Sequence, residues 1–394
     1  MSQFPFDSAP PGVMSDPLFW QALGFTGAAV AFIVISAWWL YLSQVKAPTV
    51  AAARPSPRLA GWFAGLLTFS AAQLIIGALW DASMHLKTGE IPAGADFLWP
   101  PHIMIYSSFL VAFVVALAAI GIVAWPQWQA GVRDPRQWVR RNPYLGAVAL
   151  ASVYMLMAIP GDALWHELYG IDLTAWSPPH VLIGITNATV LICALGLLRQ
   201  ARPAMQRPAW SDALILTMLA LMLNVAYLIG ALEWELPGFR SPLVEARPLW
   251  AYPLVGGGLA FVTLILAKRL TAFHWAATIA AVIFYTIRLG VTVGLGLTGN
   301  IMPLMPVWFI LGAVMLDAVP WEKIHSLLAR NLGMAAAFTL GYTALALPLL
   351  SLRSNLPALG WANTLLAVLT IFMANLSLSP LVNAASARLI SEKR

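Results

Sequence analysis

Apolar residues in this chain neither alternate nor fall on one helical face; they run in blocks of twenty or more, broken by short polar or proline-rich connections. A hydrocarbon core is crossed by about 20 residues of helix, because only a helix pairs its backbone N–H and C=O groups within the segment itself. Applied from the N-terminus, that window predicts about eleven transmembrane helices, over 18–44, 59–84, 102–125, 143–166, 179–199, 209–232, 248–267, 273–297, 302–320, 329–351 and 361–385. The expected fold class is all-α, a polytopic helical membrane protein forming one integral membrane domain over 1–394. The stretch "MSQFPFDSAPPGV" has neither a basic start nor a small-residue cleavage site, so no removable signal peptide is expected.

Composition agrees with the blocks. The 394 residues are 60% hydrophobic and only 10% charged, with 18 tryptophans, whereas water-soluble globules carry about 25% charged residues. Basic residues are unevenly shared between the connections. Lys46, Arg54 and Arg58, Arg133 to Arg141, Arg199 to Arg207, Lys268 and Arg269, Lys323 and Arg330, and the tail from Arg388 all fall on one side; Lys87, Arg240, Arg247 and Arg353 fall on the other. By the positive-inside rule the rich side is cytoplasmic, which puts the N-terminus outside and the C-terminus inside, as an odd number of spans requires. The location that follows is an integral protein of a bacterial inner membrane. The net charge of +6 is then a matter of topology, and the lipid bilayer, not nucleic acid, is the expected partner.

Ionisable chemistry concentrates in two stretches on the poorly basic side. "WDASMHLKTGEIPAGADFLWPPH", 80–102, and "GDALWHELYGIDLTAWSPPH", 161–180, align: Asp81 and His85 with Asp162 and His166, Gly89 with Gly170, Asp96 with Asp172, and Pro100-Pro101-His102 with Pro178-Pro179-His180. The chain contains an internal duplication of a helix–loop–helix unit. Residues four apart share a helix face, so Asp81 and His85 point one way, as do Asp162 and His166. Proline belongs in a helix's first turn, which places His102 and His180 at the start of the next span. Each copy therefore brings a carboxylate and two imidazoles to one level, a set of donors suited to copper, iron or zinc. The competing reading is that the Asp–His pairs only staple loops while the tryptophans form an interfacial belt. Four of the six histidines fall in these two copies, and ionisable residues at membrane depth are costly enough that function is the default expectation.

The second copy, "DALWHELYGIDLTAWSPPHVLIG", resembles the Asp-x-x-Trp-His … Asp … Ser-Pro-x-His stretch in a copper-binding membrane subunit of the particulate methane and ammonia monooxygenases. The resemblance covers about twenty residues, or about forty-five with both copies, and implies that Asp162, His166 and His180 bind copper. Trp165, Asp172 and Ser177 fit that pattern, while the first copy has Met84 before its histidine and a longer loop, so the second copy is expected to hold the main centre. This chain differs from that subunit in its length, its number of spans and its doubled motif.

Other features carry two readings each. Arg288 lies inside the eighth span and calls for a carboxylate among Asp81, Asp162, Glu233 and Glu235, either as a structural pair or in a functional role, as an anionic substrate contact or as support for a metal centre together with Asp96, Asp172 and Glu233. Glu233 and Glu235 either add a ligand or proton path or are simply solvated. Asp212 and Asp317 read as helix-end or ion-pair residues, His274 and His325 as interfacial, and Cys193 as a small packing residue. "NIMPLMPVWFILGAVM" is either a thioether copper relay or ordinary packing, and "LVGGGLAF" marks close helix approach. No phosphate loop, hydrolase elbow or zinc-protease motif occurs, and no residue can be assigned a catalytic step. Two classes of function remain. One is a metal-dependent oxidoreductase, a monooxygenase or a subunit of one, acting on an apolar substrate with a separate electron donor or partner subunits. The other is a non-enzymatic metal-binding, transport or accessory subunit, including a haem-binding one.

Overall fold

The structure is a computed structural model; it describes residues 56–88, 97–134, 137–138, 142–169, 177–201, 209–236, 250–352 and 360–391, with six further positions between 24 and 35. The span expected at 18–44 lies mostly outside the described residues. Ten α-helices follow: α1 Pro57–Thr88, α2 Pro100–Gln129, α3 Pro143–Tyr169, α4 Pro178–Ala201, α5 Ala209–Glu235, α6 Ala251–Leu270, α7 Ala276–Leu297, α8 Ile310–Ala318, α9 Leu327–Ser351 and α10 Trp361–Ser391. Among the described residues nine helices are long and apolar enough to cross a membrane. The protein is a polytopic helical membrane protein. Each of α1 to α4 opens on proline, whose missing N–H has no partner in a first turn anyway.

The described helices belong to two compact units. In the first, which holds α1 up to Asp81, α2, α3 and α4, the contacts run α1–α2, α2–α3 and α3–α4. Small and hydroxylic residues let the backbones meet. A Cβ on Gly77 would stand 2.8 Å from Ile105, and one on Gly196 would strike the Tyr144 ring at 2.5 Å. Between α1 and α2, Ser70 Oγ donates to the Ser108 carbonyl at 2.7 Å and Gln73 Nε2 to Ser107 Oγ at 2.5 Å.

The second unit holds the last turn of α1, from Ala82, and α5 from Asp212 through α10. The glycine run of α6 does what its sequence suggests. A Cβ on Gly256 would lie 2.6 Å from the Tyr227 hydroxyl, and one on Gly257 2.7 Å from the Tyr342 ring, so α5 and α9 close onto α6 only because those positions are bare.

The span expected at 302–320 is not one helix. Residues 301–309 are irregular and only Ile310–Ala318 is helical. Pro303 and Pro306 explain the difference: each lacks an N–H and pushes its predecessor out of the helical region. Freed backbone groups are then bound by neighbours. The Tyr285 hydroxyl donates to the Val307 carbonyl at 2.7 Å and accepts from the Phe309 N–H at 2.8 Å, and the Leu304 N–H donates to the Glu235 carbonyl at 2.6 Å.

Asp317 and Asp212 are helix-end residues, as their positions suggest. Asp317, 3% exposed, accepts from the Thr278 N–H at 2.7 Å and hydroxyl at 2.9 Å in the first turn of α7, and from Lys268 Nζ at 2.9 Å. A carboxylate there meets the positive end of the helix dipole as well as a cation. Asp212 accepts from the Ala272 N–H at 3.0 Å in the turn between α6 and α7. Replacing Asp317 with alanine strands Lys268 and the α7 amides, a loss of about 3 kcal/mol. Thermal unfolding in detergent should show a lower Tm for Asp317→Ala by on the order of 10 °C, with Asp317→Asn in between; an unshifted Tm would contradict this role.

Candidate metal centre

Two turns at the end of α1 and one at the start of α2 build the site. At about 1.5 Å per residue, the 32-residue α1 is about 48 Å long, well beyond the roughly 30 Å of a hydrocarbon core. Asp81 and His85 occupy its final turns, so a membrane-edge position follows from length alone. Trp99 precedes α2 in an extended conformation, Pro100 and Pro101 set the first turn, and His102 comes next. That is the arrangement expected from the Pro-Pro-His sequence.

His102 Nε2 lies 2.9 Å from Asp81 Oδ1, with the side chains only 5% and 12% exposed. His85, one turn beyond Asp81, is half-buried and completes the group. One ligand atom from each of Asp81, His85 and His102 can be chosen so that all lie within 4.8 Å of one another, and among the described residues this is the one such group of three or more His, Cys, Asp or Glu. An ion bonded at about 2.0–2.2 Å holds its ligand atoms roughly 3 to 4.4 Å apart, so the three donors reach a common ion after movements of a few tenths of an ångström. One flank is aromatic: the rings of His102 and Tyr106 are 5.7 Å apart and those of Tyr106 and Phe97 5.4 Å. Next to Asp81 and His85 on the same turns, Ser83 is fully buried, and its hydroxyl donates to the Ile301 carbonyl at 2.6 Å.

The second copy repeats the frame. α3 ends and α4 begins as α1 and α2 do, with Ser177 buried just before Pro178-Pro179-His180. Asp162 is 6% exposed, and His180 Nε2 stands 3.8 Å from its Oδ1, with the His180 side chain 30% exposed. His166 lies on α3, but its side chain is outside the described residues, as are Asp96 and Asp172. The two copies also differ inside the membrane: α3 carries Pro160 two residues before its aspartate, where α1 has Leu79.

The remaining candidates sit elsewhere. Arg288 takes Glu235 as its carboxylate, with Nη1 3.1 Å from Oε2. Glu233 and Glu235 are buried, at 3% and 0% exposure, and so the solvated reading of that pair is corrected. A helix terminus in an apolar run looks exposed in sequence; here the irregular segment 301–309 meets it through the Leu304–Glu235 bond. Sequence reasoning missed Asn224 and Tyr252, which bond Arg288 and Glu235; a lone amide in the middle of an apolar span was the available signal for the first. His274 and His325 are exposed and Cys193 is buried.

No family model, no curated protein and no solved structure matches the chain.

The geometry predicts unequal costs for the two Asp–His pairs when metal is withheld. His102→Ala removes a buried 2.9 Å partner from Asp81 and should lower stability by about 2 kcal/mol. His180→Ala acts across 3.8 Å at a part-exposed position and should cost well under half as much. Unfolding of both variants in detergent with chelator measures the difference, and equal losses would refute it.

Proposed function

We propose that this protein is a metal-dependent membrane oxidoreductase, monooxygenase-like, which holds copper or iron on Asp81, His85 and His102 and acts on an apolar substrate arriving through the bilayer. The observation that carries the reading is the convergence of those three side chains at the end of one membrane helix and the start of the next. Two imidazoles and one carboxylate leave coordination positions for an exogenous ligand, and the donors suit copper, iron or zinc while offering no thiolate. A bound copper or iron ion would supply activation of dioxygen. The residues of the chain place the donors, with the rings of Tyr106 and Phe97 along one flank. Electrons come from a separate donor or partner subunit, because the sequence offers no cofactor-binding segment of its own.

The likeness of the second copy to the copper-binding stretch of the monooxygenases supports the same chemistry at Asp162, His166 and His180, which we read as a second centre, with the Asp162–His180 approach as its visible half. A metal-handling or accessory subunit would use the same ligands without turnover, and the two are separated by activity rather than by metal content. Protein purified in mild detergent should carry copper or iron by elemental analysis. His85→Ala and Asp81→Asn should each weaken metal retention at that centre by on the order of tenfold or more, and the optical spectrum should lack haem bands. Consumption of dioxygen with a reduced donor and a short hydrocarbon then distinguishes an oxidoreductase from a carrier. Metal content that is the same in wild type and in variants lacking both histidine pairs would end the proposal.

The same reading puts both motif copies on the outer face of a bacterial inner membrane, with the C-terminus in the cytoplasm, on the strength of the basic connections. In a background lacking Cys193, single cysteines placed at 90–95 and at 171–175 should react with an impermeant thiol reagent on intact cells, and cysteines at 135–140 should not. Labelling confined to 135–140 would reverse the orientation.

A further inference from the structure

The second unit contains a buried polar cluster that the metal chemistry does not use. Arg288 is 1% exposed on α7, nine residues before the helix end at Leu297, or about 14 Å along the axis. Its Nε donates to Asn224 Oδ1 at 2.8 Å, and its Nη1 pairs with Glu235 Oε2 at 3.1 Å. The other carboxylate oxygen of Glu235 accepts from the Tyr252 hydroxyl at 3.3 Å. Nη2 has no acceptor among the described protein atoms. Nor does the hydroxyl of Tyr227, which is 0% exposed and lies on α5 three residues after Asn224. Both groups lie against the same ring: the Tyr227 and Phe284 rings are 5.3 Å apart, and Arg288 Cζ is 5.8 Å from the Phe284 centroid.

Unmet N–H groups on a buried cation are costly, so a group with acceptor oxygens belongs there. Its charge is constrained. Arg288 and Glu235 already neutralise one another, and a further anion would stand uncompensated in a low-dielectric interior. Its size is constrained too, since the Tyr227 hydroxyl packs closely against Gly256 and near Val307. A neutral guest of one or two heavy atoms, able both to accept and to donate, satisfies these conditions. Irregular backbone at membrane depth, as in 301–309, is found where it is buried in protein or borders water.

We propose that this cluster is an internal water-binding site, in which ordered water accepts hydrogen bonds from Arg288 Nη2 and the Tyr227 hydroxyl and hydrates the Arg288–Glu235 pair. Buried water of this kind makes two to four hydrogen bonds and is held as part of the structure.

Radiolytic hydroxyl-radical footprinting of the full-length protein in detergent tests the site, because radicals formed from bound water modify side chains that bulk solvent never reaches. Tyr227 and Phe284 should be oxidised, while Phe261, equally buried among apolar residues, should stay unmodified. In Arg288→Lys, which keeps the charge and removes the planar fork, modification of Tyr227 should fall several-fold. Wild-type protein in which Tyr227 and Phe284 are as inert as Phe261 would overturn the assignment, whatever the variant does. Oxidation of all three alike would also overturn it, as general solvent entry.

Discussion

A backbone amide or carbonyl in hydrocarbon must find its partner inside the protein, and the rest of this structure is arranged around that requirement. Ten helices among the described residues answer most of it, but two prolines at 303 and 306 break the answer in the ninth expected span. The protein repairs the break with side chains. One tyrosine hydroxyl, Tyr285, serves a carbonyl and an amide two residues apart, and the end of α5 receives the amide of Leu304. At the start of α7, where helix amides have no carbonyl four residues back, Asp317 supplies the acceptor and Lys268 balances its charge. Charged residues are few in this chain, and Asp317, Asp212 and Arg288 stand where a backbone amide or another charge meets them.

The same requirement places the candidate metal group. A membrane helix that starts on proline wastes no amide, so the turn following Pro100-Pro101 can be short and buried, and the residue after it, His102, is carried to Asp81 at hydrogen-bonding distance. Burial gives the pair its strength, since a histidine and a carboxylate screened by water at this separation would contribute little. It also gives the pair its ambiguity. A 2.9 Å contact is what a staple looks like, and it is also within the range that separates two ligands of one ion. His85 brings a third donor to within 4.8 Å of the pair, which a two-membered staple does not require.

Much of this was legible in the sequence, for physical reasons that can be named. Helix class and nine of the expected spans follow from block length, and the α1–α2 and α3–α4 units follow from Asp-x-x-x-His and Pro-Pro-His, because four-residue spacing and first-turn proline are local rules. The roles of Asp212 and Asp317 were visible as charges at span ends. What failed was of two kinds. The run 302–320 is apolar enough to be a span, and hydropathy alone does not register that two prolines three residues apart break its helix. Glu233 and Glu235 end an apolar helix and so look solvated; their burial is a non-local matter, and a segment about seventy residues later meets that helix end through the Leu304–Glu235 bond. The choice of Glu235 among four possible carboxylates for Arg288 likewise depends on which helices meet.

That irregular segment links the two ends of the chemistry within the second unit. Ile301 accepts from Ser83 on the last turns of α1, between Asp81 and His85, and Leu304 donates to the carbonyl of Glu235, whose side chain pairs with Arg288. Four residues of non-helical backbone are thus braced by the helix end that carries a candidate ligand and by the helix end that carries a buried ion pair. A ligand at the frayed end of a membrane helix would lose affinity to its own motion; a helix end bonded to a segment that is itself held by Tyr285 has less freedom to lose. Breaking the helix at Pro303 and Pro306 therefore does more than interrupt a span, since it brings carbonyls such as that of Ile301 to the level where the end of α1 can use them.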